Sequence, residues 1–322
     1  MKKIISIFFT LMFVIMVVSC DPENVIGRDE TDDTSKTETT TDYTWDDSAV
    51  NTITLNDNSI SSSSSGVTIS GTTATITTSG YYSISGNLSN GQLIVNAPSA
   101  EVKIKLNNAT VNNNSTSPFY IVKASKVIVF LATGSTNTFT DASSYSNSDE
   151  PDACIFSNAY LAFTDEGTLN VNGKYADGIS SDDQIIINKG TINVNAVDDG
   201  IFGKDYLIIH GGNITASCTS GHALKSNNSK TDYGYVKVDG GNVILASTSG
   251  KGIKAINKYI QESGNVIITK SDEGVESYSV TLNGGMLDIT AKNDGINTTA
   301  STTSGGTEQN DGSNLNIRRK RH

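Results

Sequence analysis

The chain is poor in the residues that cross-link, ligate zinc or stack sugars. Of 322 residues, three are cysteine, three histidine and one tryptophan, and aromatic residues make up 7%. Cys20, Cys154 and Cys218 form no zinc-type spacing with the histidines. In the repeat register described below, Cys154 and Cys218 fall in different columns three coils apart. That separation exceeds the roughly 7 Å Cα reach of a disulfide, so both are expected as small buried core residues. Trp45 stands alone, and the sequence offers no obvious row of stacking platforms for neutral sugars. His210 lies on a strand and His322 in the tail, which leaves no serine–histidine arrangement, and no glycine-rich loop leads into a helix. Positive charge is also scarce. The formal net charge is −11, which disfavours nucleic acid and anionic lipid as partners and means that an acidic ligand needs help from a cation.

Only one long apolar run is present, Ile4 to Val18, preceded by Lys2 and Lys3. It reads as a signal segment rather than a span. Val17-Val18-Ser19-Cys20 resembles a bacterial lipobox, so residues 1–19 are expected as a lipoprotein signal peptide and Cys20 as the lipidated residue. Residues 20–42 are acidic, rich in Thr and nearly free of large apolar side chains. Such a stretch cannot bury enough surface to fold and is expected as an unstructured tether. The chain is thus expected as a monomer in the bacterial cell envelope, held at the cell surface by its lipid.

What is present is a repeat. Gly167, Gly190, Gly212, Gly241, Gly264 and Gly285 each open an alternating run: Leu169/Val171, Ile192/Val194, Ile214/Ala216, Val243/Leu245, Val266/Ile268 and Leu287/Ile289. Ten or eleven residues after each comes a small residue followed by an aliphatic one, at Gly178-Ile179, Gly200-Ile201, Ala223-Leu224, Gly252-Ile253, Gly274-Val275 and Gly295-Ile296. A period of about 20–30 residues with two-residue alternation inside it marks a solenoid whose units cannot bury their apolar faces alone. The units leave no room for a helix of ten residues, so the expected class is all-β, a parallel β-helix. Residues 43–142 are expected as an N-terminal β cap and first coils, 143–300 as regular coils, and 301–322 as a Gly/Ser-rich tail that ends basic. An insertion at 227–235 lengthens one coil, and a further strand is expected at Leu315 to Ile317.

In a solenoid, chemistry is read by columns. The residue before each turn position gives Asp177, Asp199, His222, Lys251, Glu273 and Asp294. Carboxylates on adjacent coils, roughly 4.8 Å apart, repel unless a cation lies between them or one stays protonated. Asp177, Asp198 and Asp199 therefore form a candidate calcium site. Asp182, Asp183 and Asp205 form a second acidic group, with Asn228 and Asn257 continuing the last column. Asp272, Glu273 and Glu276 form a third. The same columns also read as a solvated acidic face with a self-satisfied Asn ladder. His222, Lys225, Lys251 and Lys254 make a basic patch that reads in three ways: a ladder balanced by Glu273 and Glu276, a grip for sugar carboxylates, or the source of a lyase base at Lys225, Lys251 or Lys254.

Several segments also carry a family likeness: Glu150-Pro151-Asp152-Ala153 with Ile155-Phe156-Ser157, Gly167-Thr168-Leu169-Asn170-Val171-Asn172-Gly173, Asp177-Gly178-Ile179-Ser180-Ser181-Asp182-Asp183, and Asp198-Asp199-Gly200-Ile201 with Gly203-Lys204-Asp205. The chain resembles, over roughly residues 50–317, a family of bacterial carbohydrate-binding β-helix proteins similar to a clostridial polygalacturonate-binding, pectate-lyase-like protein. The resemblance implies a right-handed parallel β-helix that binds acidic polysaccharide with calcium. The coils at Ser220 to Leu224 and Ser249 to Ile253 depart from the pattern by lacking the paired acids. Three functions are expected to compete: calcium-assisted binding of a uronate polymer, a calcium-dependent polysaccharide lyase, and a structural adhesin or envelope spacer.

Overall fold

The computed structural model describes residues 37–146, 151–300 and 311–318. The signal peptide, Cys20, most of the tether, Glu150 and the basic end of the tail lie outside these residues. The described residues belong to one compact unit.

The chain winds as a parallel β-helix with three faces. On the alternating face, Thr136–Thr140, Thr168–Asn172, Thr191–Ala196, Asn213–Cys218, Asn242–Ser247, Asn265–Lys270 and Met286–Ile289 pair in succession. The turn face follows, with Phe119–Lys123, Ala153–Ser157, Asp177–Ser181, Ile201–Gly203, Leu224–Ser226 and then the first parts of Ile253–Gln261 and Val275–Leu282. The back face closes each coil through Lys126–Leu131, Tyr160–Thr164, Ile185–Ile187, Tyr206–Ile209 and Tyr235–Val238. Parallel pairing of the same kind already runs through residues 73–142, so the change near residue 143 is one of loop length. At the N-terminal end, antiparallel pairs join Val50–Asp57 to Ser59–Ser62 and Val67–Ser70 to Thr73–Ile76, which caps an edge that would otherwise invite pairing. At the other end Asn314–Ile317 pairs with Ser279 to Leu282.

Side-chain ladders fill the interior. Ile155, Ile179, Ile201, Leu224, Ile253 and Val275 are direct partners from coil to coil and are fully buried. Ile185, Leu207, Val236, Tyr259 and Val280 form a second ladder. Gln261 interrupts a third, and its amide is satisfied inside the core: Tyr259 Oη donates to its Oε1 at 3.0 Å, and its Nε2 donates to Met286 O at 2.9 Å. A glycine must open each coil. Gly212 and Gly241 have φ of 94° and 84°, and a Cβ on either would lie 2.5 and 2.6 Å from the preceding coil's glycine carbonyl. Cys154 and Cys218 are buried and unpaired.

The tether boundary at residue 42 requires correction. Residues 37–49 dock as a strap along the back face. Ile128, Phe130, Tyr160, Ala162 and Ile186 point outward there yet are buried, because Tyr43 and Trp45 pack against them. Thr39 and Asp42 form a capping box around the short 3-10 helix Thr40–Tyr43. Asp42 then receives Lys126 Nζ at 2.9 Å, and Lys103 Nζ donates to Thr41 O at 2.7 Å and Thr44 O at 3.0 Å. Polar composition hid the docking because the partners are lysines that arrive from distant coils.

The strap carries a titratable latch. His210 Nε2 lies 3.0 Å from Glu38 and its Nδ1 lies 2.8 Å from Asp239, which also pairs with Lys237 at 2.8 Å; Tyr43 Oη donates to Glu38. The hydrogen bond to Glu38, opposed by burial and aided by Asp239, raises the His210 pKa above 6.5. The Glu38 carboxyl is held below 4.5 by His210 and Tyr43 although burial opposes this. A raised histidine contributes docking energy below its free pKa and loses it as pH rises through the docked value. A lowered carboxyl contributes above its free pKa and loses it on acidification. Strap docking is therefore expected to weaken as pH climbs above the ordinary histidine range, read as a shift of Trp45 emission. His210→Ala should remove that step.

Candidate functional site

The corner between the alternating and turn faces gathers the charged columns. Asp177, Asp199, His222, Lys251, Glu273 and Asp294 stack there as successive rungs, tied by backbone bonds such as Gly178 N to Asp199 O and Gly200 N to His222 O. Two residues beyond the turn position, the turn face shows a second outward column: Tyr120, Phe156, Ser180, Phe202, Lys225, Lys254 and Glu276.

Carboxylates crowd the lower part of the corner. Asp177, Asp198 and Asp199 each offer an oxygen, and the three lie within 4.8 Å of one another. Asp177 and Asp199 are 5% and 2% exposed, while Asp198 faces solvent. Asp199 N donates to Asp177 Oδ1 at 2.8 Å, and His222 N donates to Asp199 Oδ1 at 2.7 Å. Burial, followed by repulsion from Asp199 and Asp152, pushes the Asp177 pKa well above 3.8. Asp152 at the rim is raised as well, first by withdrawal of its carboxyl from water and then by Asp182 and Asp198. The sequence reading left Asp152 out of the acidic group; it shares a rung position with Asp198 rather than with Asp199, so the turn column does not contain it.

Lys225 answers this charge. Its Nζ donates to Asp199 Oδ2 at 2.6 Å and lies 4.7 Å from the Phe202 ring centroid. Burial would lower its pKa, but attraction to Asp199, then Asp177 and Asp198, raises it. Higher up, Lys251 Nζ reaches Asp272, Glu273 and Glu276 at 3.4, 3.2 and 3.3 Å, and Lys254 Nζ contacts Glu276. Burial and the neighbouring Lys251 ammonium nonetheless pull the Lys254 pKa down.

Three expected roles change with this geometry. His222 does not belong to the basic patch: burial and then Lys225, Lys254 and Lys251 hold its pKa at about 4, and its Nδ1 accepts from Lys251 N at 3.0 Å. It is a neutral spacer between acids and lysines. Asp272, Glu273 and Glu276 surround Lys251, so a cation already occupies the centre of that group. Asp182, Asp183 and Asp205 do not converge on a point. Asp183 Oδ1 accepts from Gln184 N at 3.2 Å, and Asp205 Oδ1 accepts from Asn228 Nδ2 at 2.5 Å. The column that continues from Asp205 fastens the 227–235 insertion, because Asn257 Nδ2 reaches the carbonyls of Asn228, Lys230 and Tyr233. Among the described residues, the Asp177 group is where three carboxylates meet closely enough to share one ion.

The aromatic half of the turn-face column escaped the sequence reading although its signal was present. Phe156 and Phe202 sit at the same offset from the turn as Lys225 and Lys254. A separate concavity, lined by Thr281, Leu315, Asn316, Ile317 and Arg318, belongs to the back face of the last coil and holds no carboxylate.

Known proteins place this architecture. A curated "carbohydrate-binding domain-containing protein" of Acetivibrio thermocellus is 33% identical over 136 residues, covering 41% of this chain and 48% of that protein. The chain thus spans about half the length of the curated relative it matches. The solved structure of a polysaccharide lyase-like protein from C. thermocellum, a gadolinium derivative, is similar with a TM-score of 0.64 at 24% identity. It covers 83% of this chain and 96% of its own, and this likeness bears on the fold alone. The family description "carbohydrate-binding domain-containing protein" fits residues 70–316. That match takes in well over half of the chain, and the chain belongs to the family of carbohydrate-binding domain-containing proteins.

Proposed function

We propose that the corner binds an anionic, uronate-type polysaccharide such as polygalacturonate, with calcium at Asp177, Asp198 and Asp199 and without catalysis. The observation that carries this reading is the adjacency, on neighbouring coils, of three converging carboxylates and the ammonium of Lys225. Calcium binds oxygens at 2.3–2.6 Å, so two of its ligands stand at most about 5 Å apart, which matches the 4.8 Å spread of the three oxygens. The raised pKa of Asp177 marks a carboxyl that lacks enough positive charge around it. Calcium would supply that charge and share it with sugar carboxylates. Lys225 and Lys254 lie one and two rungs further on, where the next carboxylates of a polymer would meet them. In this reading the chain acts as a monomer at a bacterial cell surface, anchored through Cys20.

The test is retention on polygalacturonate with calcium and then with excess chelator. Retention that chelation abolishes supports the reading, and no retention in either state transfers weight to a structural role. Calcium binding also has a predicted pH dependence. Because the folded-state pKa of Asp177 is raised above 3.8, its contribution to stability is fully present below that value and is lost as pH rises through the folded pKa. Calcium should cancel the loss. Its effect on the melting temperature is expected to be small near pH 4 and larger at pH 7, and Asp177→Asn should flatten the difference.

A lyase is the second reading, favoured by one observation: Lys254, with its lowered pKa, is the lysine best suited to abstract a proton beside a carboxylate. Release of unsaturated product, seen as rising ultraviolet absorbance and lost in Lys254→Ala, would establish it.

A further inference from the structure

Among the described residues the two most open aromatic side chains are Tyr175, at 38% exposure, and Tyr278, at 37%. Tyr278 lies several coils away, on Val275–Leu282. Tyr175 instead sits two residues before Asp177, on the bend that leads into the candidate calcium site.

The Tyr175 ring is held in place from behind. Tyr145 stacks on it with ring centroids 4.2 Å apart and planes inclined by 20°. Tyr145 is itself pinned, because its Oη lies 2.9 Å from Asp141 Oδ2 and 3.0 Å from Ala153 O. Ala153 is the rung partner of Asp177. Asp141, 2% exposed, also accepts from Lys174 N at 2.5 Å, which fixes the backbone next to Tyr175. On the following coil, Val197 N and Asp198 N both donate to Ala176 O, at 3.1 and 2.9 Å. Val197 is 40% exposed, and Asp198 is the solvent-facing member of the three carboxylates. One carbonyl thus joins the bend that carries an exposed, backed aromatic ring to an exposed aliphatic side chain and an exposed acid. A ring already immobilised by packing loses little freedom when a ligand covers it. It calls for a partner that is apolar on one face and polar at its edge. Galacturonate is such a partner: its hydrogens on C3, C4 and C5 gather on one face, and its carboxylate stands at the rim.

We propose that Tyr175, backed by Tyr145, is a stacking platform for a sugar ring at the calcium end of the bound polymer. Two residues of chain span at most about 7 Å, so the platform stands within one or two sugar residues of Asp177. This inference rests on the polysaccharide-binding reading and deepens it. The apolar face of a sugar lies on Tyr175, carboxylates share the ion at Asp177, Asp198 and Asp199, and later residues of the polymer run toward Lys225 and Lys254. Tyr175 is thereby a specificity residue, distinct from the calcium ligands and from the lysines.

Tyr175→Ala tests it, and Tyr175→Phe, which keeps the ring, is the companion. Trigalacturonate with calcium and a neutral β-linked glucose trimer are titrated calorimetrically into the full chain, and calcium alone is titrated separately. Tyr175→Ala is expected to weaken trigalacturonate binding about ten-fold, with calcium binding unchanged and affinity kept in Tyr175→Phe. Unchanged trigalacturonate affinity in Tyr175→Ala overturns the platform and leaves the calcium-bridged reading standing. Equal loss in Tyr175→Phe overturns stacking in favour of a contact through the hydroxyl. Loss of calcium binding along with trimer binding in Tyr175→Ala assigns the ring to packing of the bend and also overturns the platform. Binding of the neutral trimer alone, lost in Tyr175→Ala, supports the platform while removing the uronate reading. Wild-type chain that binds neither trimer overturns both.

Discussion

Lys225→Ala is expected to lose stability in chelator, to recover it with calcium, and to stay defective in polysaccharide binding under both conditions. The ammonium lies 2.6 Å from Asp199 Oδ2, and Asp199 is 2% exposed. Removing one partner of a buried pair leaves a charge without compensation, at a cost of about 3 kcal/mol or somewhat more. Asp177, on the adjacent coil, compounds the strain because it already resists ionisation in that setting. Calcium at the three carboxylates would replace the missing positive charge, so thermal melting should return close to wild type once the ion saturates. Polygalacturonate binding should not return, because the lysine proposed to meet the sugar is gone. Melting with and without calcium, followed by binding under the same two conditions, separates the roles. Recovery of both would assign Lys225 to structure alone. Failure of calcium to rescue melting would mean that the acids do not hold an ion.

Asp42→Ala is expected to release the strap. The Asp42 side chain is 1% exposed and its Lys126 partner 6%. Beyond the lysine, its carboxylate accepts from Thr39 N at 3.1 Å, Thr39 Oγ1 at 2.7 Å and Tyr160 Oη at 3.3 Å. Burial opposes ionisation here, but the Thr39 hydroxyl and the Lys126 ammonium keep the carboxyl below 3.8. This stabilisation is present above the ordinary carboxylate pKa and is lost as pH falls through the lowered value. The substitution should cost about 3–5 kcal/mol, redden Trp45 emission and expose Ile128, Phe130 and Ile186 to an apolar dye. Glu166→Ala is the control. Its pair with Lys189 spans 3.7 Å between side chains 66% and 57% exposed, and such exposed pairs contribute about 0–1 kcal/mol. Equal loss in both variants, or unchanged Trp45 emission in Asp42→Ala, would show that the strap is not held by this pair.

Both predictions concern contacts that differ in how well the sequence announces them. Asp177, Asp199, His222 and Lys251 could be placed in one column because a solenoid advances by one rung per coil, so that a period in sequence becomes adjacency in space. The aliphatic ladder through Ile179, Ile201, Leu224 and Ile253 followed from the same rule, as did the separation of Cys154 from Cys218. Position in a column, however, does not reveal charge state. His222 counts as basic until burial and three lysines are seen around it. Asp272, Glu273 and Glu276 count as metal ligands until Lys251 is found among them.

The strap shows the limit most plainly. Asp42 lies 84 residues from Lys126, and Glu38 lies 172 from His210, with no periodicity to join them. By itself the sequence determined the coil, its faces and the order of rungs, because these follow from alternation and a repeated glycine turn, which are local properties. Only the tertiary structure decided which outward residues are covered, which acids are neutralised and which remain gathered, because those depend on distances and desolvation between segments that meet once the coils are stacked.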